Sequence, residues 1–202
     1  MERRQFIGYS IAGLGMAAVA ANGKNLQYVA KSSDKKWAVL FGTWYGTARD
    51  AGMWISEGMG GIAQVYDVRQ NPDLSGCEHL VVGAAIHGGR GPKELDAYLK
   101  KHLSHLKEKI RGLYIVCGAM GQQPGPDQVK EYIDGYLANV CGTDKAMKKA
   151  FGGRITKRLL STEDNQNLEA FHKEINKPYI DYDNLNRSDC LAFGQHIFDA
   201  TK

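Results

Sequence analysis

The sequence predicts an α/β domain built on a doubly wound, five-stranded parallel sheet with helices on both faces. Three observations carry that expectation. From residue 37 onward, short continuous apolar runs alternate with longer stretches of helical spacing, which is the order a two-sided parallel sheet requires. Several apolar runs end in loops rich in glycine and small polar residues. The chain also carries 24 glycines in 202 residues, which suits tight strand-to-helix turns or close backbone approach to a ligand.

Trp37-Ala38-Val39-Leu40-Phe41 is uninterrupted and apolar and stops at Gly42, as a strand buried on both faces does. A helix is expected over residues 47–58 and an alternating second strand over 62–68. Residues 79–86 hold Leu80-Val81-Val82-Gly83-Ala84-Ala85-Ile86, a third buried strand. Pro92 then opens a helix at its first turn, where proline is tolerated. Leu95, Tyr98, Leu99, Leu103, Leu106 and Ile110 continue it at helical spacing. A fourth strand is expected over 113–118, a helical segment from 127 to about 150, and a fifth strand over 151–160. Residues 162–182 are polar, with a helix over 165–175. A final amphipathic helix spans 187–200, capped by Ser188 or Asn186. There is no internal repeat and no low-complexity tract.

The first 21 residues do not read as part of this fold. Met1-Glu2-Arg3-Arg4-Gln5-Phe6-Ile7 leads into an apolar, glycine-rich stretch, and Ala18-Val19-Ala20 supplies small residues for a peptidase. A charged start, a short apolar region and an A-x-A site in that order make an export signal. Arg3-Arg4 followed by x-Phe-Ile resembles the twin-arginine class, whose pathway carries folded proteins, often with a cofactor inserted. The protein is therefore expected outside the cytoplasmic membrane, free in the periplasm or held by an uncleaved signal. Residues 22–36 are polar and aperiodic and read as a linker, leaving 37–202 as the folded domain. With the first 21 residues set aside, roughly 180 residues remain, enough for one core.

The formal charge is +4, and it falls to +3 without residues 1–21, which hold Glu2, Arg3 and Arg4. That is too weak to indicate a nucleic-acid partner. Lys145, Lys148, Lys149, Arg154, Lys157 and Arg158 form a stretch with no intervening acid. It is either a solvated basic face or a docking patch for an acidic partner, an anionic substrate or lipid headgroups. Cys77, Cys117, Cys141 and Cys190 lack C-x-x-C or zinc spacing, so neither a zinc site nor an iron–sulfur cluster is expected. They are buried thiols or, in an exported protein, one or two disulfides. His102 and His105 lie three apart without a third ligand and read as solvated side chains.

In such a sheet, ligands bind outside the carboxyl ends of the strands, where strand order reverses. Three loops leave those ends. The first is Gly42-Thr43-Trp44-Tyr45-Gly46-Thr47-Ala48, an anion site made of backbone amides and a helix N-terminus. It matches neither G-x-x-x-x-G-K-[ST] nor G-x-G-x-x-G, which argues against triphosphates and dinucleotides. The second runs from Ala84 to Pro92 through Ala85, Ile86, His87, Gly88 and Gly89, and is able to lie flat against a planar ring. The third is Cys117-Gly118-Ala119-Met120-Gly121-Gln122, where small residues let amides reach a ring edge.

The order of strands, the segment from Phe41 to Thr47 and the segment Val81–Ile86 resemble the flavodoxin fold. The helix around 95–105 and Tyr182-Asp183-Asn184-Leu185 resemble the flavodoxin-domain group that includes menaquinone-dependent protoporphyrinogen dehydrogenase. The resemblance spans about residues 37–200 and implies FMN as cofactor. It assigns the phosphate to Thr43, Gly46, Thr47 and neighbouring amides, and places Trp44 and Tyr45 beside the ring or ribityl chain. It assigns the isoalloxazine to Ala85–Gly89 and to the loop from Cys117 through Gly118, Ala119 and Met120 to Gly121. Ala48 replaces the last hydroxyl of the family's phosphate loop, and the polar stretch 161–177 replaces the long basic, apolar insert of the dehydrogenases. His87 is the candidate catalytic residue, as a donor to reduced flavin or a proton donor to substrate. The expected function is FMN-dependent oxidoreduction or electron transfer with a redox protein or quinone as partner. A quinone-using porphyrinogen dehydrogenase and a flavin-free binding module are the alternatives.

Overall fold

The computed structural model describes residues 32–118 and 123–201. The segment expected to be an export signal, most of the expected linker, and Ala119, Met120, Gly121 and Gln122 of the third loop lie outside the described residues.

Strand β1 (Trp37–Gly42) pairs in parallel with β2 (Ala63–Asp67) on one side and β3 (His79–Ala85) on the other. Strands β4 (Ile110–Cys117) and β5 (Met147–Gly152) extend the sheet beyond β3, giving the order β2-β1-β3-β4-β5, all parallel. The chain thus leaves β1 in one direction and reaches β3 in the other. This reversal opens a crevice at the carboxyl ends of β1 and β3.

Alternation along the strands sorts side chains into two apolar layers. Leu40, Val82 and Ile115 face one layer, with Leu95 and Leu99 of α2 (Lys93–Leu106) and Ile133 and Leu137 of the helical run 126–141. That run consists of α3 (Pro126–Gln128), a π-helical stretch Val129–Leu137 and α4 (Ala138–Cys141). Val39, Val81, Tyr114 and Val116 face the second layer, with Ile55 of α1 (Thr47–Gly58) and Ile197 and Phe198 of α6 (Arg187–Ala200). Helices α1 and α6 cross at glycines. A Cβ on Gly58 would stand 2.1 Å from the Leu191 carbonyl oxygen, and one on Gly194 would stand 2.0 Å from that of Ile55. Only residues without a side chain permit that approach.

Several boundaries differ from the sequence expectation. Helix α2 ends at Leu106, followed by a 3₁₀ turn Lys107–Lys109, so Ile110 opens β4 and is not the last helical position. The helical run expected to reach residue 150 stops at Cys141. Gly142 takes a left-handed conformation there (φ 61°), and its amide donates to the carbonyls of Ala138 and Asn139. Residues 147–150 are consequently strand. β5 lies at the sheet edge, where lysines such as Lys148 and Lys149 discourage further pairing. The chain leaves the sheet after Gly152, well short of the expected close of the strand at residue 160. Arg154–Ile155 forms β6, antiparallel to β7 (Tyr182–Asp183), and Lys157–Leu159 is a 3₁₀ turn. The helix expected over 165–175 is α5 (Thr162–Glu174), started by Ser161, whose hydroxyl accepts from the Asp164 amide at 3.0 Å. Of the two candidate caps for α6, Asn186 is the one used. Its side chain accepts from the Asp189 amide at 3.2 Å. None of the four cysteines is disulfide-bonded, and all are buried.

Candidate functional site

Because β1, β3 and β4 are parallel and adjacent, the loops that leave them gather at one edge of the sheet. The first loop turns at Gly46, which has φ 90° and occupies the N-cap of α1. A side chain is strained at that backbone angle, so the turn requires glycine. Gly46 brings no capping side chain, so the first amides of α1 lack the partner an N-cap residue usually supplies. Thr43 and Thr47 are buried on either side of the turn, and the Thr43 hydroxyl oxygen accepts from the Gly46 amide at 3.1 Å. Uncapped helix amides, the positive end of the helix dipole and nearby hydroxyls are the groups with which such a turn can hold an anion.

Ala48 takes part in this turn through its backbone alone. Its side chain is buried in the layer beneath α1, and its carbonyl accepts from the Tyr114 hydroxyl at 2.8 Å. Arg49 brings a charge to the turn that the sequence motif did not single out. A Cβ placed on Gly46 would lie 3.5 Å from its guanidinium. Arg49 also pairs with Asp50 at 2.9 Å. A cation one position past the loop is the signal that could have marked it.

The second loop is a tight turn. The amide of His87 donates to the Arg90 carbonyl at 2.9 Å and the Arg90 amide returns a bond at 3.2 Å, with Gly88 and Gly89 at φ 57° and 81° between them. Two consecutive positive φ values suit glycines. Ala85 and Ile86 anchor this turn to the sheet. Ala85 sits opposite Val116, and the Ile86 amide donates to the Val116 carbonyl at 2.9 Å. His87 and Trp44 are exposed and meet edge to face, with ring centroids 5.3 Å apart. The first and second loops therefore touch through these two rings.

Of the third loop, Cys117 and Gly118 are described. Cys117 is buried at the end of β4, and its carbonyl accepts from the Gly153 amide at 2.7 Å. The Gly118 carbonyl accepts from the Tyr182 hydroxyl at 2.8 Å. Burial, with a smaller effect from Cys117, raises the Tyr182 phenol above its ordinary value, so it is a neutral donor at physiological pH.

The polar connection between β5 and α6 contributes what the sequence did not reveal. The Tyr45 hydroxyl donates to the Asp164 carboxylate and accepts from the Ser161 amide at 3.1 Å. The other Asp164 oxygen lies 3.4 Å from His87 Nε2. Arg154 pairs with Asp50 of α1 and Asp183 of β7, each at 2.8 Å. Burial opposes the charge of Arg154, and the two carboxylates outweigh it. The basic stretch is accordingly divided. Lys148 pairs with Asp134 at 2.7 Å, Arg154 is held as described, and Lys157 lies 4.4 Å from the Tyr179 ring centroid. Among the described residues, no three histidine, cysteine or acidic side chains group to hold a metal. No described helix is long and apolar enough to cross a membrane.

The architecture matches solved structures. A WrbA-like flavodoxin from Agrobacterium tumefaciens superposes with a TM-score of 0.52 at 10% identity, over 83% of this chain and 97% of that one. A flavodoxin from the domain Archaea gives 0.50 at 12% identity, over 82% and 97%. The flavodiiron core of Flv1 from Synechocystis sp. PCC6803 gives 0.51 at 14% identity, and there this chain accounts for 82% of itself but only 36% of the larger core. These likenesses establish the fold. No curated protein matches the chain in sequence. The family model described as Flavodoxin domain matches residues 38–181, and the chain belongs to that family.

Proposed function

We propose that this protein binds FMN at the carboxyl edge of its sheet and transfers electrons outside the cytoplasmic membrane. The observation that carries the reading is the α1 N-terminus, left without a side-chain cap by Gly46 and flanked by the buried Thr43 and Thr47. Such a turn is complementary to a terminal phosphate. The FMN phosphate would rest on the amides from Trp44 to Ala48 and on the hydroxyls of Thr43 and Thr47, with the Arg49 charge beside it. Trp44, Tyr45 and the turn from Ala85 to Gly89 would flank the ring, and Gly118 would lie at its edge. Bound FMN supplies one- and two-electron chemistry, and the protein supplies binding, orientation and tuning of the potential.

His87 is the group at this edge able to donate a proton or a hydrogen bond to the ring or to a substrate. Trp44 and His87 are exposed, so a redox protein or a quinone reaches the flavin edge there. The extracytoplasmic location rests on Arg3-Arg4 and the apolar stretch that follows.

An absorption spectrum and a fluorescence titration test the reading. The purified chain should bind FMN and quench its emission. Thr47→Ala should weaken FMN roughly ten-fold, from the loss of one hydrogen bond to a charged group. The same variant should leave riboflavin binding unchanged, since riboflavin has no phosphate. Apo-protein that does not take up added FMN would overturn the reading.

A further inference from the structure

We infer that Asp164 is a positioning residue for the flavin site. Its carboxylate straps the connection between β5 and α6 across the mouth of the site by holding Tyr45 and His87 together. The inference rests on the FMN reading above and adds a residue from a segment that no loop motif includes.

The geometry has three parts. One Asp164 oxygen accepts from the Tyr45 hydroxyl in the phosphate loop, and the other lies 3.4 Å from His87 Nε2 in the ring loop. A single carboxylate therefore touches two loops that the sheet merely brings near each other, hydrogen-bonded to Tyr45 and at ion-pair distance from His87 when that ring carries its second proton. Second, the join is rigid on the helix side. Asp164 is in the first turn of α5, where its amide is bonded to the Ser161 hydroxyl, and the Ser161 amide in turn donates to the Tyr45 hydroxyl. Tyr45 is thus bonded to the start of α5 both as donor and as acceptor. Third, the remainder of the connection is tied down at other points. Arg154 bridges Asp50 and Asp183, and Tyr182 bonds the Gly118 carbonyl of the third loop. The segment from β6 to β7 consequently contacts all three loops or the helix that begins at one of them.

The physical consequence is preorganisation. Left alone, a half-buried tyrosine and an exposed histidine in separate loops sample several rotamers, and ordering them on ligand binding costs free energy. The carboxylate holds both in one arrangement beforehand, and the strap must loosen before a ligand seated beneath Tyr45 departs. Asp164 acts here through Tyr45 and His87.

The test measures FMN release by the recovery of free-FMN fluorescence after rapid dilution of the flavin-loaded protein. Asp164→Asn and Tyr45→Phe should each release FMN roughly ten-fold faster than the native chain. The double variant should release it by less than the product of the two single effects, because the Tyr45–Asp164 bond is lost in both. Glu163→Gln, at the neighbouring exposed acid, should release FMN at the native rate. Native-rate release by Asp164→Asn, multiplicative effects in the double variant, or an equal effect of Glu163→Gln would each overturn the inference. Failure of the native chain to bind FMN would instead count against the function proposed above. The strap is then read in the flavin-free chain by amide hydrogen exchange. Exchange over residues 161–166 should speed up in Asp164→Asn, and unchanged exchange there would overturn the inference.

Discussion

The Tyr114 hydroxyl donates to the backbone carbonyl of Ala48 at 2.8 Å, from the floor of the sheet to the first turn of α1. Tyr114 is fully buried, and burial holds its phenol well above the ordinary value. Its ring lies across Gly83 of the neighbouring strand, where an added Cβ would stand 1.9 Å from a ring carbon. The same hydroxyl would be 2.7 Å from a Cβ on Gly52. Two glycines make room for one side chain, which in turn bonds the helix end where the proposed phosphate turn lies.

Tyr114→Phe keeps the ring and loses the bond, so stability should fall by about 1 kcal/mol. The thermal midpoint should drop by roughly 2–4 °C, read by circular dichroism. Gly83→Ala should cost more, in the range of about 1–3 kcal/mol for an overpacked core, because the ring has no free space to enter. A Gly83→Ala variant as stable as the native chain would contradict the packing described.

His79 makes the stability of the fold pH-dependent. It sits at the start of β3 against Trp37, with ring centroids 4.6 Å apart, and its Nδ1 is buried without a hydrogen-bond partner. Burial foremost, and then the Arg111 charge, hold its pKa below the ordinary value. Glu78 works in the other direction, and Lys35 adds to the lowering. The unfolded chain therefore takes up the proton first as pH falls. The contribution is fully present above about pH 6.5, the ordinary imidazole value, and is lost as pH drops toward the lower folded value. Urea unfolding at pH 7.5 and pH 5 should show a loss in the native chain that shrinks in His79→Gln.

Thiol chemistry should be silent until the fold opens. Burial pushes Cys141 and Cys190 up to about 12, with Asp96 adding to the effect at Cys141 and Asp189 at Cys190. The thiolate is the reactive form, so both should resist iodoacetamide at pH 8 in the native state. All four cysteines should be alkylated in denaturant without a prior reducing step, since none is disulfide-bonded. Mass spectrometry before and after unfolding reads both outcomes. A denatured chain that needs reduction before it takes up label would contradict the thiol state described.

Much of the sheet was legible in the sequence because its strands are buried on both faces. Trp37–Phe41 and Leu80–Ala85 have no polar interruption, so their place and even their order with the helices follow from local pattern. The fifth strand was harder. Lys148 and Lys149 at an exposed edge look like a helix surface, and only pairing with β4 makes that segment a strand. The candidate site divides in the same way. Gly46, Thr43, Thr47 and the Gly88-Gly89 turn are local devices, since a backbone angle or an uncapped helix end demands particular residues nearby. Asp164 carries no such local sign. It stands 119 positions from Tyr45, in a polar helix with no motif, and becomes part of the site when the β6–β7 pairing carries α5 to the mouth. The sequence by itself determined the parallel sheet, its glycine turns and the uncapped start of α1, because those depend on neighbours along the chain. The tertiary structure alone decided where the fifth strand begins and which carboxylate joins Tyr45 to His87, because those depend on contacts between segments distant in sequence.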